Sequence, residues 1–139
     1  MTPKLKIVFD TNIYISAILF GGNPRLCLEL AREGDIQLYS SRKILLELAE
    51  KLREKFLWQE EDILEALEGL LVSTKLVKPE HTVSIIKQDV EDNRILECAE
   101  TTNADFIVSG DKKHLLSLRN YKGIPILSAK AFLDYFYNK

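Results

Sequence analysis

Ile7, Val8 and Phe9 form a short apolar run that stops at Asp10; a polar pair, Thr11 and Asn12, follows before apolar residues resume. A short apolar run with β-branched residues reads as a buried central strand over residues 5–9, with a helix over 12–19 behind it. Residues 20–23 read as a turn. Asn23 is positioned as an N-cap with Pro24 at the first helical position, and that helix runs to Arg32, with Gly34 near its C-cap. Alternation over 36–39 predicts a second strand. Ser40 or Ser41 then caps a helix whose Ile44, Leu45, Leu48, Ala49, Leu52 and Phe56 follow a 3.6-residue period. A second amphipathic helix over 59–71 carries Ile63, Leu64, Leu67, Leu70 and Leu71, and residues 74–77 suggest a short strand.

Residues 78–81 read as a loop, and a polar, acidic stretch over 88–93 precedes a helix with Ile95, Leu96 and Ala99 on one side. A turn at 103–105 leads into a second buried strand over 106–109. Gly110 and Asp111 open a short helix through Leu118, residues 121–123 turn, and 124–127 form a last strand. Pro125 lacks a ladder N–H, which predicts that this strand lies at a sheet edge. Ser128 caps a terminal helix ending near Tyr137. Strands separated by helices require crossover connections, so the expected class is α/β with a mostly parallel sheet covered on both faces.

Composition narrows the picture. The 139 residues fit one domain, residues 1–139; 46% are hydrophobic and 29% charged, which excludes a disordered chain. The net charge of −2 gives no global basic field, so contact with nucleic acid must come from a local patch. No apolar run approaches the roughly 18 residues of a membrane helix. Residues 1–4 lead straight into a strand without a signal-peptide core, and Cys27 and Cys98 read as buried free thiols; together these predict a cytoplasmic protein.

Four acids stand out by position: Asp10 after the first strand, Glu47 early in the helix after the second, Asp92 opening the helix before the 106–109 strand, and Asp111 after that strand. Residues that follow adjacent central strands of a parallel sheet meet at one edge, which makes Asp10 and Asp111 the expected neighbours. Asp92 and Asp111, each taken alone, read as helix N-caps. Glu47, off the centre of its helix's apolar stripe, reads alone as a solvated residue. Asp10 has few routine roles at the end of a buried strand. Asp89 is a candidate supporting acid, while Glu91, Glu97 and Asp105 read as loop, cap or surface residues. Clustered carboxylates repel unless a cation lies among them, and oxygen-only donors suit Mg²⁺ or Mn²⁺. His81, His114 and the two cysteines lack zinc-ligand spacing.

At these residues the chain resembles the PIN-domain family over essentially its whole length. Asp10-Thr11-Asn12-Ile13 with Ser16-Ala17 is similar to the family's opening acidic motif. Glu47 matches the second acidic position, Asp92 through Ala99 resembles the third, and Ser109-Gly110-Asp111-Lys112 the fourth. The closing stretch over 123–128 with Phe132-Leu133 resembles the VapC-like toxin branch of bacterial and archaeal toxin–antitoxin pairs. The resemblance implies a three-layer α/β/α fold around a parallel sheet of about five strands. It implies an Mg²⁺- or Mn²⁺-dependent endoribonuclease acting on single-stranded RNA. Asp10, Glu47, Asp92 and Asp111 are the implied catalytic and metal-binding acids, supported by Thr11, Asn12 and Ser109. Lys112-Lys113-His114 is basic where many relatives place a second acid, which puts a second metal ion in question.

Arg42, Arg94, Lys112 and Lys113 are candidate contacts to the RNA backbone, and Tyr14 is a candidate base-stacking residue whose alternative is a place in the core. A cognate antitoxin and a homodimer are the implied protein partners. An RNA-processing nuclease outside toxin–antitoxin pairs, or a module that binds RNA or protein without cutting, remain as alternatives. A haloacid-dehalogenase-like phosphatase requires an Asp two residues after Asp10, where this chain has Asn12.

Overall fold

The computed structural model describes residues 3–79, 90–110 and 115–138. Among these, six strands and seven helices alternate along the chain in a three-layer α/β/α arrangement. The central strand is β1 (Leu5–Phe9), whose Ile7, Val8 and Phe9 are fully buried. It pairs in parallel with β2 (Ile36–Ser41) on one side and with β4 (Phe106–Val108) on the other. β3 (Thr74–Val77) extends the sheet beyond β2, and β6 (Ile124–Leu127) extends it beyond β4, both in parallel. The order is β3-β2-β1-β4-β6-β5, where β5 (Asn120–Tyr121) is a two-residue antiparallel edge.

Helices α1 (Thr11–Leu19) and α2 (Gly22–Arg32) link β1 to β2, and α3 (Arg42–Glu54) and α4 (Glu60–Val72) link β2 to β3. The helix α5 (Val90–Thr102) precedes β4 and packs against β1, β2 and α3. α6 (Leu115–Leu118) precedes β5, and α7 (Ala129–Tyr137) closes the chain against α2. The α3 stripe is buried at Ile44, Leu45, Leu48, Ala49 and Leu52, as its period requires, whereas Phe56 lies beyond the helix and is exposed. Ser41 and Ser128 cap α3 and α7 by accepting from the Ile44 and Ala131 N–H groups. Cys27 and Cys98 are buried free thiols.

Four local expectations need correction. The second helix starts at Gly22 rather than after Asn23: Gly21 (φ +81°) and Gly22 (φ +63°) take left-handed backbone, and Pro24 falls in the first turn, where its missing N–H has no helical acceptor. Pro125 is not at an edge. Lys122 and Gly123, both with positive φ, form a tight hairpin turn that lays β5 over the outer side of β6. The missing N–H falls one residue before the β4–β6 pairing begins at Ile107↔Ile126, so no ladder bond is lost. Asp92 lies inside α5, two residues past its first, and does not cap it. In α4 only Ile63 and Leu70 are fully buried, while Leu64 (57%) and Leu71 (43%) face outward.

Candidate functional site

Leaving β1, the chain passes to β2 on one side of the sheet, whereas β4 lies on the other. The carboxyl ends of β1 and β4 therefore border a topological switch point, where open α/β sheets place their ligand crevice. Asp10 follows β1 at this point, and Ser109 and Gly110 follow β4. The Asp10 N–H donates to the Val108 carbonyl at 3.0 Å, which carries the parallel register one residue past the strands.

The Asp10 side chain is 2% exposed. Its Oδ1 accepts from the Ile13 N–H at 2.8 Å, so the carboxylate is also the N-cap of α1. Its Oδ2 accepts from the Ser109 hydroxyl at 2.5 Å and from the Gly110 N–H at 3.1 Å. These three neutral donors belong to two segments about 100 positions apart in sequence. The α1 macrodipole adds partial positive charge at the same carboxylate. α1 itself is apolar almost all round and buried at Ile13, Tyr14, Ile15 and Ala17, so it is held rigidly behind the acid.

The other sequence candidates fall as follows. Asp92 is buried on α5, one position from buried Asn93. Glu47 is half-buried on α3 and pairs with Lys51 at 3.3 Å. α5 packs on both β1 and α3, so the helices carrying Asp92 and Glu47 are neighbours and one of them lies on the strand that Asp10 follows, but these three described acids do not form a group close enough to hold an ion. Thr11 is buried at the first position of α1, and Asn12 beside it is exposed. Arg42 is exposed at the start of α3. Arg94 is half-buried and donates to Glu97 at 2.6 Å on its own helix. Asp105 is exposed and accepts from the Lys6 N–H, in keeping with a loop acid. Asp111, Lys112, Lys113, Asp89, His81 and His114 lie outside the described residues.

Two groups were not singled out by sequence reasoning. Glu97 is 3% exposed rather than a surface acid. Its signal was its place among Ile95, Leu96, Cys98 and Ala99, a run too apolar for a solvated face, with Arg94 one turn earlier. Gly110 contributes a backbone N–H to Asp10, which side-chain chemistry cannot reveal. Tyr14 is fully buried, its ring 5.5 Å from that of Phe9, which places it in the core and not on a base. Burial raises the Tyr14 phenol well above its ordinary pKa.

Among the described residues, the donors near Asp10 are oxygens, a set that suits a hard divalent cation. Among the described residues, no three of His, Cys, Asp or Glu stand close enough together to hold an ion. Among the same residues, no helix is long and apolar enough to cross a membrane.

Comparison with known proteins follows the same lines. Residues 6–113 match the family model of the PIN domain. The chain is 36% identical over 123 residues to the uncharacterized protein MJ1680 of Methanocaldococcus jannaschii, covering 84% of this chain and 77% of that one. The crystal structure of PAE2754 from Pyrobaculum aerophilum superposes with a TM-score of 0.62 at 15% identity, over 98% of this chain and 91% of that one. VapBC2 from Rickettsia felis, crystallised with a DNA fragment from its promoter, gives a TM-score of 0.65 at 17% identity, over 88% of this chain and 97% of that one.

Proposed function

Because this chain belongs to the PIN-domain family, we propose that it is an Mg²⁺- or Mn²⁺-dependent endoribonuclease of single-stranded RNA and the toxin of a type II toxin–antitoxin pair. The observation that carries the reading is the buried Asp10 carboxylate at the β1/β4 switch point, held by donors from both strand ends. A carboxylate is costly to bury, and three hydrogen bonds offset that cost and fix the group's direction. That is what a ligand to a hard cation requires.

In this proposal Asp10, Asp92 and Asp111 would hold the ion, directly or through waters, and Glu47 would complete the acidic set or help a water lose its proton. The ion, when bound, supplies Lewis acidity to the phosphate and lowers the pKa of its water. Ser109 and the Gly110 N–H fix the direction of Asp10; Thr11 and Asn12 belong to the same turn. Arg42, Lys112 and Lys113 meet the RNA backbone, with Arg94 positioned through Glu97. The toxin assignment draws on the fold shared with VapBC2 of Rickettsia felis, and it implies a cognate antitoxin, a homodimer and a cytoplasmic setting.

A module that binds RNA without cutting is the competing reading. Labelled single-stranded RNAs incubated with Mg²⁺, Mn²⁺ or EDTA separate the two. Metal-dependent cutting by the wild type, lost in Asp10→Asn, supports the nuclease. RNA binding without cutting under every metal condition supports the module.

A further inference from the structure

Beside Asp10 the surface opens into a cleft of about 440 Å³ between α1, α2, α6 and α7. Ser109 and Gly110 form one end of it, so the cleft is continuous with the carboxylate that both residues hold. Asn12, Ser16, Asn23 and Lys130 give it polar walls. Ile13 and Leu116 contribute apolar surface, and among the described residues that line it none is acidic.

Two larger grooves have different chemistry. One, between α2 and α4, sets Asp62 and Glu65 against Arg25 and Arg32. The other lies among the residues that start β1, β2 and β3, at the opposite end of the sheet from Asp10. A polyanion with one phosphate at an acidic centre must run on over surface free of carboxylates, because each further acid adds repulsion. With a net charge of −2 spread over the chain, such surface has to be local.

We propose that this cleft is a nucleobase subsite, taking the base next to the cleaved phosphate, and that Asn23 and Ser16 read that base. The proposal rests on the nuclease reading and adds its substrate selectivity. A carboxamide offers a donor and an acceptor side by side, which answers the hydrogen-bonding edge of an unstacked base in single-stranded RNA. The apolar surface accepts the base's face. Lys130 pairs with Asp134 at 3.0 Å with both side chains exposed, a pair weak enough for its ammonium to turn to a phosphate.

Two measurements test this on the full chain. In the first, the four nucleoside 5′-monophosphates are titrated separately into isotopically labelled protein and the Ser16, Asn23 and Lys130 amides are followed by NMR. At least one monophosphate should move all three. In the second, a randomised single-stranded RNA library is cut by the wild type and by Asn23→Ala, Ser16→Ala and Lys130→Ala. The wild type should prefer one base at a position flanking the cut. Asn23→Ala should lose at least about fivefold of that preference, with kcat unchanged and KM raised. Lys130→Ala should raise KM alike for all sequences. Silent amides with all four monophosphates, or an undiminished preference in both Asn23→Ala and Ser16→Ala, would overturn the proposal. A wild type that cuts no RNA while the amides respond removes the nuclease reading and keeps the cleft as a nucleotide site. A wild type that cuts RNA with a silent cleft removes the subsite alone.

Discussion

Replacing Ser109 with alanine deletes a single donor to Asp10, and the structure sets the size of the effect. The Oγ–Oδ2 separation of 2.5 Å lies at the short end of the range for a hydroxyl bound to a carboxylate. Ser109 is fully buried and Asp10 nearly so, so water does not readily replace the lost hydroxyl. A hydrogen bond to a charged group contributes about 1.5–3 kcal/mol. The Ile13 and Gly110 N–H groups still hold the carboxylate in the variant, which sets the expectation near 2 kcal/mol. With a urea slope of about 2 kcal/mol/M, the unfolding midpoint should fall by about 1 M. Chemical denaturation followed by circular dichroism reads this directly. A double-mutant cycle with Asp10→Asn isolates the pair and should return a coupling energy above about 1 kcal/mol. Additive effects of the two substitutions, with coupling below about 0.3 kcal/mol, would refute the view that Ser109 acts on stability through Asp10.

Two further outcomes follow from buried groups. Burial pushes the Cys27 and Cys98 thiols up to about 12, above the value near 8.5 for a thiol in an unfolded chain. Their neutral burial is therefore stabilising below about pH 8.5, and that contribution is lost as pH rises toward the folded value. The urea midpoint should decline between pH 8 and 10, and the double variant Cys27→Ala, Cys98→Ala should show a shallower decline. At Tyr14 the hydroxyl lies buried beside those of Ser40 and Thr74 without closing a hydrogen bond of normal geometry. Tyr14→Phe should thus be neutral or slightly stabilising in a thermal melt, whereas Tyr14→Ala, which empties a fully buried ring site, should cost about 3–5 kcal/mol.

The sheet's centre was readable because its signals are local. The run at Ile7–Phe9 ends on an acid, and Ile107 and Val108 repeat the apolar pattern before Ser109, so both strand ends at the switch point could be anticipated. Ser41 and Ser128 are caps that a four-residue window detects. The misjudged features depend on partners remote in sequence or on backbone geometry. Pro125 looked like an edge residue because a two-residue strand such as β5 carries no periodicity. Leu64 and Leu71 have helical spacing, but only the packing of α4 decides which of its apolar residues turn inward. Glu97 looked solvated because a charged residue within an apolar helix is recognised as buried only when the surrounding layers are known. For Glu47 and Asp92, periodicity gave no reason to expect their helices to be neighbours; that comes from α5 packing on β1 and against α3.

The span between Asp10 and its partners has a consequence for synthesis on the ribosome. The donors Ser109 and Gly110 lie 99 and 100 residues downstream of the acid. At roughly 5–20 residues per second, the nascent chain carries Asp10 for roughly 5–20 s before its second clamp has been made. During that interval β1 can pair with β2 but not with β4, and the carboxylate is held from the α1 side alone. The acidic centre is therefore a late event of translation. A polypeptide interrupted before residue 109 carries the opening motif without the geometry that orients it, so truncated products of this sequence lack the assembled acidic centre.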